Sequence, residues 1–388
     1  MKILLVLHHH LDPNAGAADV TLKLGEAYQK LGHDVYYCSH GDFAQRVSGK
    51  ILAILFPLCV VWHIWKLSKQ VKLDVIHASS GDAWVWGTVF SRLPIPRRPL
   101  LVTQSHGLEH TMHEKILENA KNGALKLSWK YPLYNGSLML WQVAKSFQEA
   151  DFSFMLNEYD AEVVRKKIGV TYDKVKIFRN AIPDYFLGLP FEDMNLSGDL
   201  PDIAVVGSYI ERKGIQYGVP ALDSLMRRHV DLKVRFVGVG CSPKKVLADF
   251  SPEVRDRITV ISKFNKFELP RLLEGCQILL FPSLSEGFPL ALPEAMACGL
   301  APIVTRIPGS TEIVVDRQNG LVIDPRSQSQ IEEAIEEMLR DSHSLRRYRI
   351  LAYETVQSFK WLDIANQHLS LYKECLERPE KQVVALDC

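Results

Sequence analysis

The chain has 388 residues, longer than one ordinary hydrophobic core supports, so two domains of about normal size are expected. With 47% hydrophobic and 23% charged residues and a formal net charge of +1, it is neither disordered nor the strongly basic chain that nucleic-acid binding requires. Seven scattered cysteines (Cys38, Cys59, Cys241, Cys276, Cys298, Cys375 and Cys388) form no CxxC pair, which argues for a reducing, cytoplasmic setting and against a disulfide framework or zinc cluster.

In chain order, "MKILLVLHHHLD" is too short in its apolar run for a signal peptide and reads as a buried first strand. "ADVTLKLGEAYQKLG" follows with helical periodicity, and "DVYYCS" is the next strand. The apolar run at 51–65, "ILAILFPLCVVWHIW", falls short of the ~20 residues that span a bilayer. A helix packed inside the first domain is the first reading. A helix lying on a membrane surface is the second, supported by Trp62, Trp65 and the lysines at 66, 69 and 72. "DVIHAS" and "LLVTQSH" are further strands, and the aromatic-rich "LSWKYPLYNGSLMLW" follows at 127–141. After a Pro/Gly-rich linker, "NAIPDYFLGLPFEDMNLSGDLPD", come "DIAVVGSY", "LKVRFVGVG", "ITVIS", "ILLFPS", "APIVT" and "GLVID". Strands alternating with helical stretches predict two doubly wound, Rossmann-like α/β domains, at 1–185 and 198–361. Residues 1–180 hold 22 Lys and Arg against 16 Asp and Glu, and the remainder 24 against 29. The split suits two facing domains or a basic half facing an anionic partner, and ordinary scatter produces it equally well.

In such domains ligands bind beyond the carboxyl ends of the strands. The loops there carry neither a complete GxGxxG fingerprint nor a phosphate loop. In "VGSYIERKGI" Arg212 and Lys213 occupy a turn after a strand, which suits a held anion or is simply a solvated basic turn. "SEGFPLALPEAMACG" sets Glu286 and Glu294 eight positions apart. Pro289 and Pro293 forbid one continuous helix through both, so Pro293 is expected to open a helix with Glu294 in its first turn and Glu286 on the entering loop. Helix-entry amides can hold phosphate, whereas ionised carboxylates accept from adjacent hydroxyls. Phosphate and hydroxyls together describe a sugar nucleotide. The plainer reading of Glu294, a first-turn acid complementing the helix dipole, leaves Glu286 unexplained.

"SEGFPLALPEAMACGLAPIVT" resembles the E-x7-E signature of GT-B retaining glycosyltransferases of family 4. "HHHLDPNAGAADVTLKLGEAYQKLGHDV", "VTQSHGLEH", "IFRNAIPDYF", "VGSYIERKGI", "FVGVG", "NGLVIDP" and the terminal "FKWLDIANQHLSLYKECL" match the family in order. The resemblance implies a closing helix, 362–388, that returns to the first domain, and a donor site in the second. Gly16 would approach the donor diphosphate, His106 would line the donor-sugar pocket, and Arg212 and Lys213 would neutralise the diphosphate. Glu286, with Gly287, Phe288 and Leu290, would hold the transferred sugar, and Glu294 the ribose hydroxyls; His106, Lys213 and Glu286 are the implied catalytic set. The chain departs from the family pattern at Ala15, at Ser208, where many members have arginine, and at Pro289. No D-x-D triplet occurs, so no metal and no cofactor are expected beyond the nucleotide-sugar co-substrate. A UDP-sugar is the favoured donor and GDP-mannose the next. The acceptor would be a glycan or lipid-linked hydroxyl, with peripheral membrane contact through the first domain and no nucleic acid as partner. A sugar-nucleotide epimerase, a sugar phosphorylase and a non-catalytic binding subunit are the alternatives.

Overall fold

The computed structural model describes residues 1–13, 16–43, 49–90, 98–121, 127–129, 131–191 and 200–377. Ala15, Lys130, Cys388 and residues 192–199 of the expected linker lie outside them. The chain divides into Met1–Arg179 with Trp361–Cys388, and Asn180–Lys360.

In chain order the first unit contains β1 (Lys2–Leu7), α1 (Gly16–Lys30), β2 (Asp34–Ser39), α2 (Gly49–Ser68), β3 (Val75–Ser79) and α3 (Trp84–Phe90). It continues with β4 (Leu100–Gln104), α4 (Glu109–Lys121), α5 (Met139–Glu149), β5 (Phe152–Met155), α6 (Glu158–Val163) and β6 (Val175–Ile177). The second holds β7 (Asp202–Val206), α7 (Ile215–Arg228), β8 (Val234–Val237), α8 (Pro243–Ala248), β9 (Ile258–Ile261) and α9 (Leu269–Leu273). Then come β10 (Cys276–Phe281), α10 (Ala291–Ala297), β11 (Ala301–Thr305), β12 (Leu321–Ile323), α11 (Gln328–Arg340) and α12 (Ser342–Val356). The last helix, α13 (Trp361–Glu377), belongs to the first unit.

Each unit is built on a six-stranded, wholly parallel sheet, ordered β2-β1-β3-β4-β5-β6 and β12-β11-β10-β7-β8-β9. The strands are apolar because helices cover both faces: β10 is buried throughout, and β1 beyond its first residue. In each sheet the strand order reverses once, between β1 and β3 and between β7 and β10. Those switch points open a crevice at the carboxyl ends, where loops diverge to opposite faces.

Two elements differ from sequence expectation. The 51–65 run is the middle of a 20-residue helix, α2, that carries Pro57 inside it. Leu52, Phe56, Val60 and Ile64 form its core-facing stripe, fully buried with Ile76 and Trp86. Strands β5 and β6 complete the first sheet and were not among the expected strands.

Helix α13 packs on α1 through a buried polar knot. The Tyr28 hydroxyl lies 2.9 Å from His368 Nδ1 and 3.2 Å from the Tyr372 hydroxyl, which lies 3.1 Å from His77 Nδ1 on β3. Burial depresses both histidines, His77 to about 4 and His368 well below its ordinary value, so both are neutral.

Candidate functional site

At the β7/β10 switch point, two loops are tied together by their own backbone. After β7 the chain turns through Gly207 into the single turn Glu211–Lys213 and then Gly214, at φ +74°. A Cβ on Gly214 would lie 1.9 Å from the Pro282 carbonyl oxygen, so only glycine lets this turn rest on the loop leaving β10. The Leu284 amide donates to the Arg212 carbonyl at 2.8 Å, fixing the loops in register. Glu286 is thereby set between two cations. Lys213 Nζ donates to Oε1 at 2.7 Å, and Arg212 Nη1 to Oε2 at 3.2 Å and to the Ser285 carbonyl at 2.8 Å. Burial pushes the Glu286 carboxyl up, but Lys213 and Arg212 outweigh it and hold it below the ordinary value, so it is ionised. Lys213 Nζ also lies 5.0 Å from the centre of the Phe281 ring.

Glu294 has a different cation. It is buried on α10, and Lys266 Nζ reaches its Oε1 at 3.5 Å from the segment after β9. Helix α10 starts at Ala291, not at Pro293, which is its third residue. Its first-turn position still costs no hydrogen bond, because the first amides of a helix have no intrahelical partner. Glu294 donates its amide to the Leu290 carbonyl at 3.2 Å. Phe288 is buried and Leu290 half-buried on the loop between the acids, beside Gly287.

The first unit's switch point gathers a second set. His106, two residues beyond β4, places Nε2 3.0 Å from the Ser79 hydroxyl, while its buried Nδ1 has no partner. Burial depresses it to about 3, so it is neutral at physiological pH. Beside it, His8 Nδ1 lies 2.9 Å from Asp82 Oδ1, and the His8 amide donates to Asp82 Oδ2 at 2.9 Å. Asp82 raises His8 to about 9 against the opposing effect of burial, making it an imidazolium at neutral pH. Between them, Ser80 takes φ +39°, a strained value for a residue with a side chain. Burial pushes the Glu109 carboxyl up, and its Oε2 is buried without a partner. Gly16 opens α1, and a Cβ there would meet no atom within 4 Å, so packing inside the protein does not demand glycine.

The structure therefore brings Arg212, Lys213 and Glu286 into one cluster, with Glu294 on the following helix, all in the second unit. Gly16 and His106 belong to the first. Sequence reasoning missed Lys266, His8, Asp82 and Glu109, and only the HHH run after the first strand offered any signal. Cys38, Asp42 and His63 also bring one ligand-capable atom each within 4.8 Å of one another. Burial keeps the Cys38 thiol protonated, and Asp42 Oδ2 already accepts from the Ser39 amide at 2.7 Å. The trio thus lacks the charged ligand set a divalent ion favours.

Two family models cover the two halves: Glycosyltransferase Family 4 matches residues 15–184, and Glycosyl transferases group 1 matches residues 191–355. The chain belongs to the GT-B glycosyltransferases. An uncharacterised glycosyltransferase of Methanocaldococcus jannaschii is 26% identical over 218 residues, covering 53% of this chain and 55% of that protein. The chain thus spans about half the length of that relative. The UDP-Gal:alpha-D-GlcNAc-diphosphoundecaprenol alpha-1,3-galactosyltransferase of Escherichia coli is 24% identical over 272 residues, 67% of this chain and 65% of the relative. Among solved structures, a sucrose-phosphate synthase from Thermosynechococcus elongatus superposes with a TM-score of 0.72 at 19% identity, covering 97% of this chain and 99% of its own. For a glycosyltransferase, the division of cations is chemically apt: Lys213 and Arg212 suit a leaving diphosphate, and two separated carboxylates suit two sets of hydroxyls.

Proposed function

We propose that this glycosyltransferase moves a sugar from a nucleoside-diphosphate sugar to a hydroxyl of a glycan or lipid-linked acceptor, with retention of anomeric configuration and without a metal. A UDP-sugar is the favoured donor and GDP-mannose the next. The observation that carries the reading is the separate pairing of the two acids, Glu286 with Lys213 and Arg212, Glu294 with Lys266.

An ionised carboxylate offers about four lone-pair sites. The two cations use two on Glu286, leaving capacity to accept from hydroxyls of the transferred sugar. Glu294 accepts from the ribose hydroxyls. Lys213 and Arg212, steered by Glu286, stabilise the charge that develops on the leaving diphosphate, the task a divalent ion performs in other transferases. Retention is what the family resemblance implies. At neutral pH His8 is an imidazolium and His106 is neutral. His8 suits an anionic oxygen. The E. coli relative is named for a UDP-sugar and a diphosphate-linked lipid, which supports the donor and acceptor classes.

The test is a thermal-shift panel of UDP, GDP, ADP and their sugars. A ligand at a hundred times its dissociation constant stabilises by ~2.7 kcal/mol. Stabilisation by UDP and its sugars alone is expected; none by any nucleotide refutes the reading. NMR of the product's anomeric proton then decides retention, and an inverted linkage overturns it.

A further inference from the structure

The exposed side of α2 is apolar, and the helix itself carries no acid; Asp42 is the acid that lies beside its His63. Ile51, Ile54, Leu58, Trp62 and Trp65 are all exposed, Leu58 at 55% and Trp65 at 56%. At 3.6 residues per turn they lie opposite the buried stripe Leu52, Phe56, Val60 and Ile64. One face of the helix is thus committed to the protein core while the other is apolar to solvent. A helix whose buried stripe is part of the core under the first sheet cannot leave it to cross a bilayer, but it can lie along one.

The patch extends beyond α2. The Tyr134 hydroxyl donates to the Ala53 carbonyl at 3.3 Å, bringing the segment before α5 against the helix. That segment exposes Leu133 and Leu138, and Trp141 on α5 is 48% exposed. Exposed apolar side chains gathered on one side of an element in this way mark an interaction site when they act together.

Charge selects the partner. The sequence has no acidic residue between Asp42 and Asp74, nor between Glu118 and Glu149, so both segments carry basic charge alone. Lys66 Nζ lies 5.4 Å from the Trp62 ring centre and Lys69 Nζ 3.4 Å from that of Trp65, each ammonium set over an indole. Indoles beside lysines at the edge of an apolar face match the headgroup layer of a bilayer, where the ring sits at the acyl boundary and the ammonium meets phosphate.

We infer that α2 and the 131–141 segment form one docking face for an anionic lipid bilayer, with α2 lying in the plane of the membrane. The inference rests on this surface and stands or falls apart from the donor reading.

Flotation of the full chain with neutral phosphatidylcholine vesicles, and with vesicles in which a third of the lipid is phosphatidylglycerol, is the direct test. Binding is expected to the second and to be weak to the first. Lys66→Gln with Lys69→Gln should weaken binding to anionic vesicles about fivefold per lysine and leave binding to neutral ones unchanged. Trp65→Ser should sharply weaken both, with thermal stability and UDP binding unaltered because that ring is 56% exposed, whereas Trp62 also packs edge-on against Phe43. Absence of flotation with anionic vesicles at low salt overturns the inference. So does a concentration-dependent dimer, seen by sedimentation, that the tryptophan variant disrupts while flotation is absent, since the face would then cover a second copy.

Discussion

Replacing Glu286 by glutamine keeps the shape of the side chain and removes its charge, and three observables should then part company. In the unliganded protein the carboxylate is 8% exposed and its Lys213 partner 18%, so the 2.7 Å bond between them is largely shielded from water. A charged hydrogen bond of that kind is worth about 1.5–3 kcal/mol, and a glutamine oxygen retains roughly half. The Arg212 contact adds little, because that guanidinium is 42% exposed and screened. The expected loss of stability is about 1–2 kcal/mol, or roughly 2–8 °C in Tm for a unit of this size. Nucleotide affinity should move the other way or not at all, since Lys213 no longer divides its charge between a carboxylate and a diphosphate. Turnover should fall roughly 10- to 150-fold, the value of a charged hydrogen bond to the transferred sugar in the transition state. Glu294→Gln should do the reverse, weakening UDP by about the same factor through the ribose. Calorimetry of UDP binding to the two variants, with kcat beside it, decides the matter. Equal loss of UDP affinity in both, or the larger loss at Glu286, refutes the division of labour.

On the proposed reading, in which Lys213 and Arg212 do the work of a metal, activity should survive excess EDTA; complete loss that Mg²⁺ or Mn²⁺ restores would rule this out. The raised value of His8 means its pair with Asp82 stabilises fully below pH ~6.5 and is lost as pH rises through about 9. With the ring 36% exposed, solvent screens the effect to about 1 kcal/mol, visible in denaturant melts of the wild type across that window and missing in His8→Gln. Gly214→Ala should cost more than about 3 kcal/mol because of the Pro282 carbonyl, whereas Gly16→Ala should leave Tm unchanged and weaken only ligand binding. Equal melting temperatures for these two glycine variants would contradict the packing argument.

Legibility in the sequence followed the range of the interaction. Strands β1, β2 and β11 could be read to the residue because their apolar runs are bounded by polar or turn residues. Strands β5 and β6, four and three residues long, offer too few positions for any periodicity. The acids at 286 and 294 stood out through the prolines around them, which are local signals. His8 and Asp82 are 74 positions apart, and Lys266 is 28 from Glu294, so only the folded chain makes either pair. Pro293 misplaced the helix start by two residues, because proline is tolerated throughout the unpaired first turn.

The return of α13 sets an order on folding. Tyr28 and His77 lie on the early elements α1 and β3, yet their partners His368 and Tyr372 are made only after the entire second unit. Until those residues leave the ribosome, Tyr28 and His77 lack their native partners and the surface that α13 covers stays open to water. The second unit is continuous in sequence and has no such debt. During synthesis it can become native while the N-terminal unit, though begun first, is still incomplete. A chain cut before Trp361 should therefore spare the C-terminal unit and melt the N-terminal one.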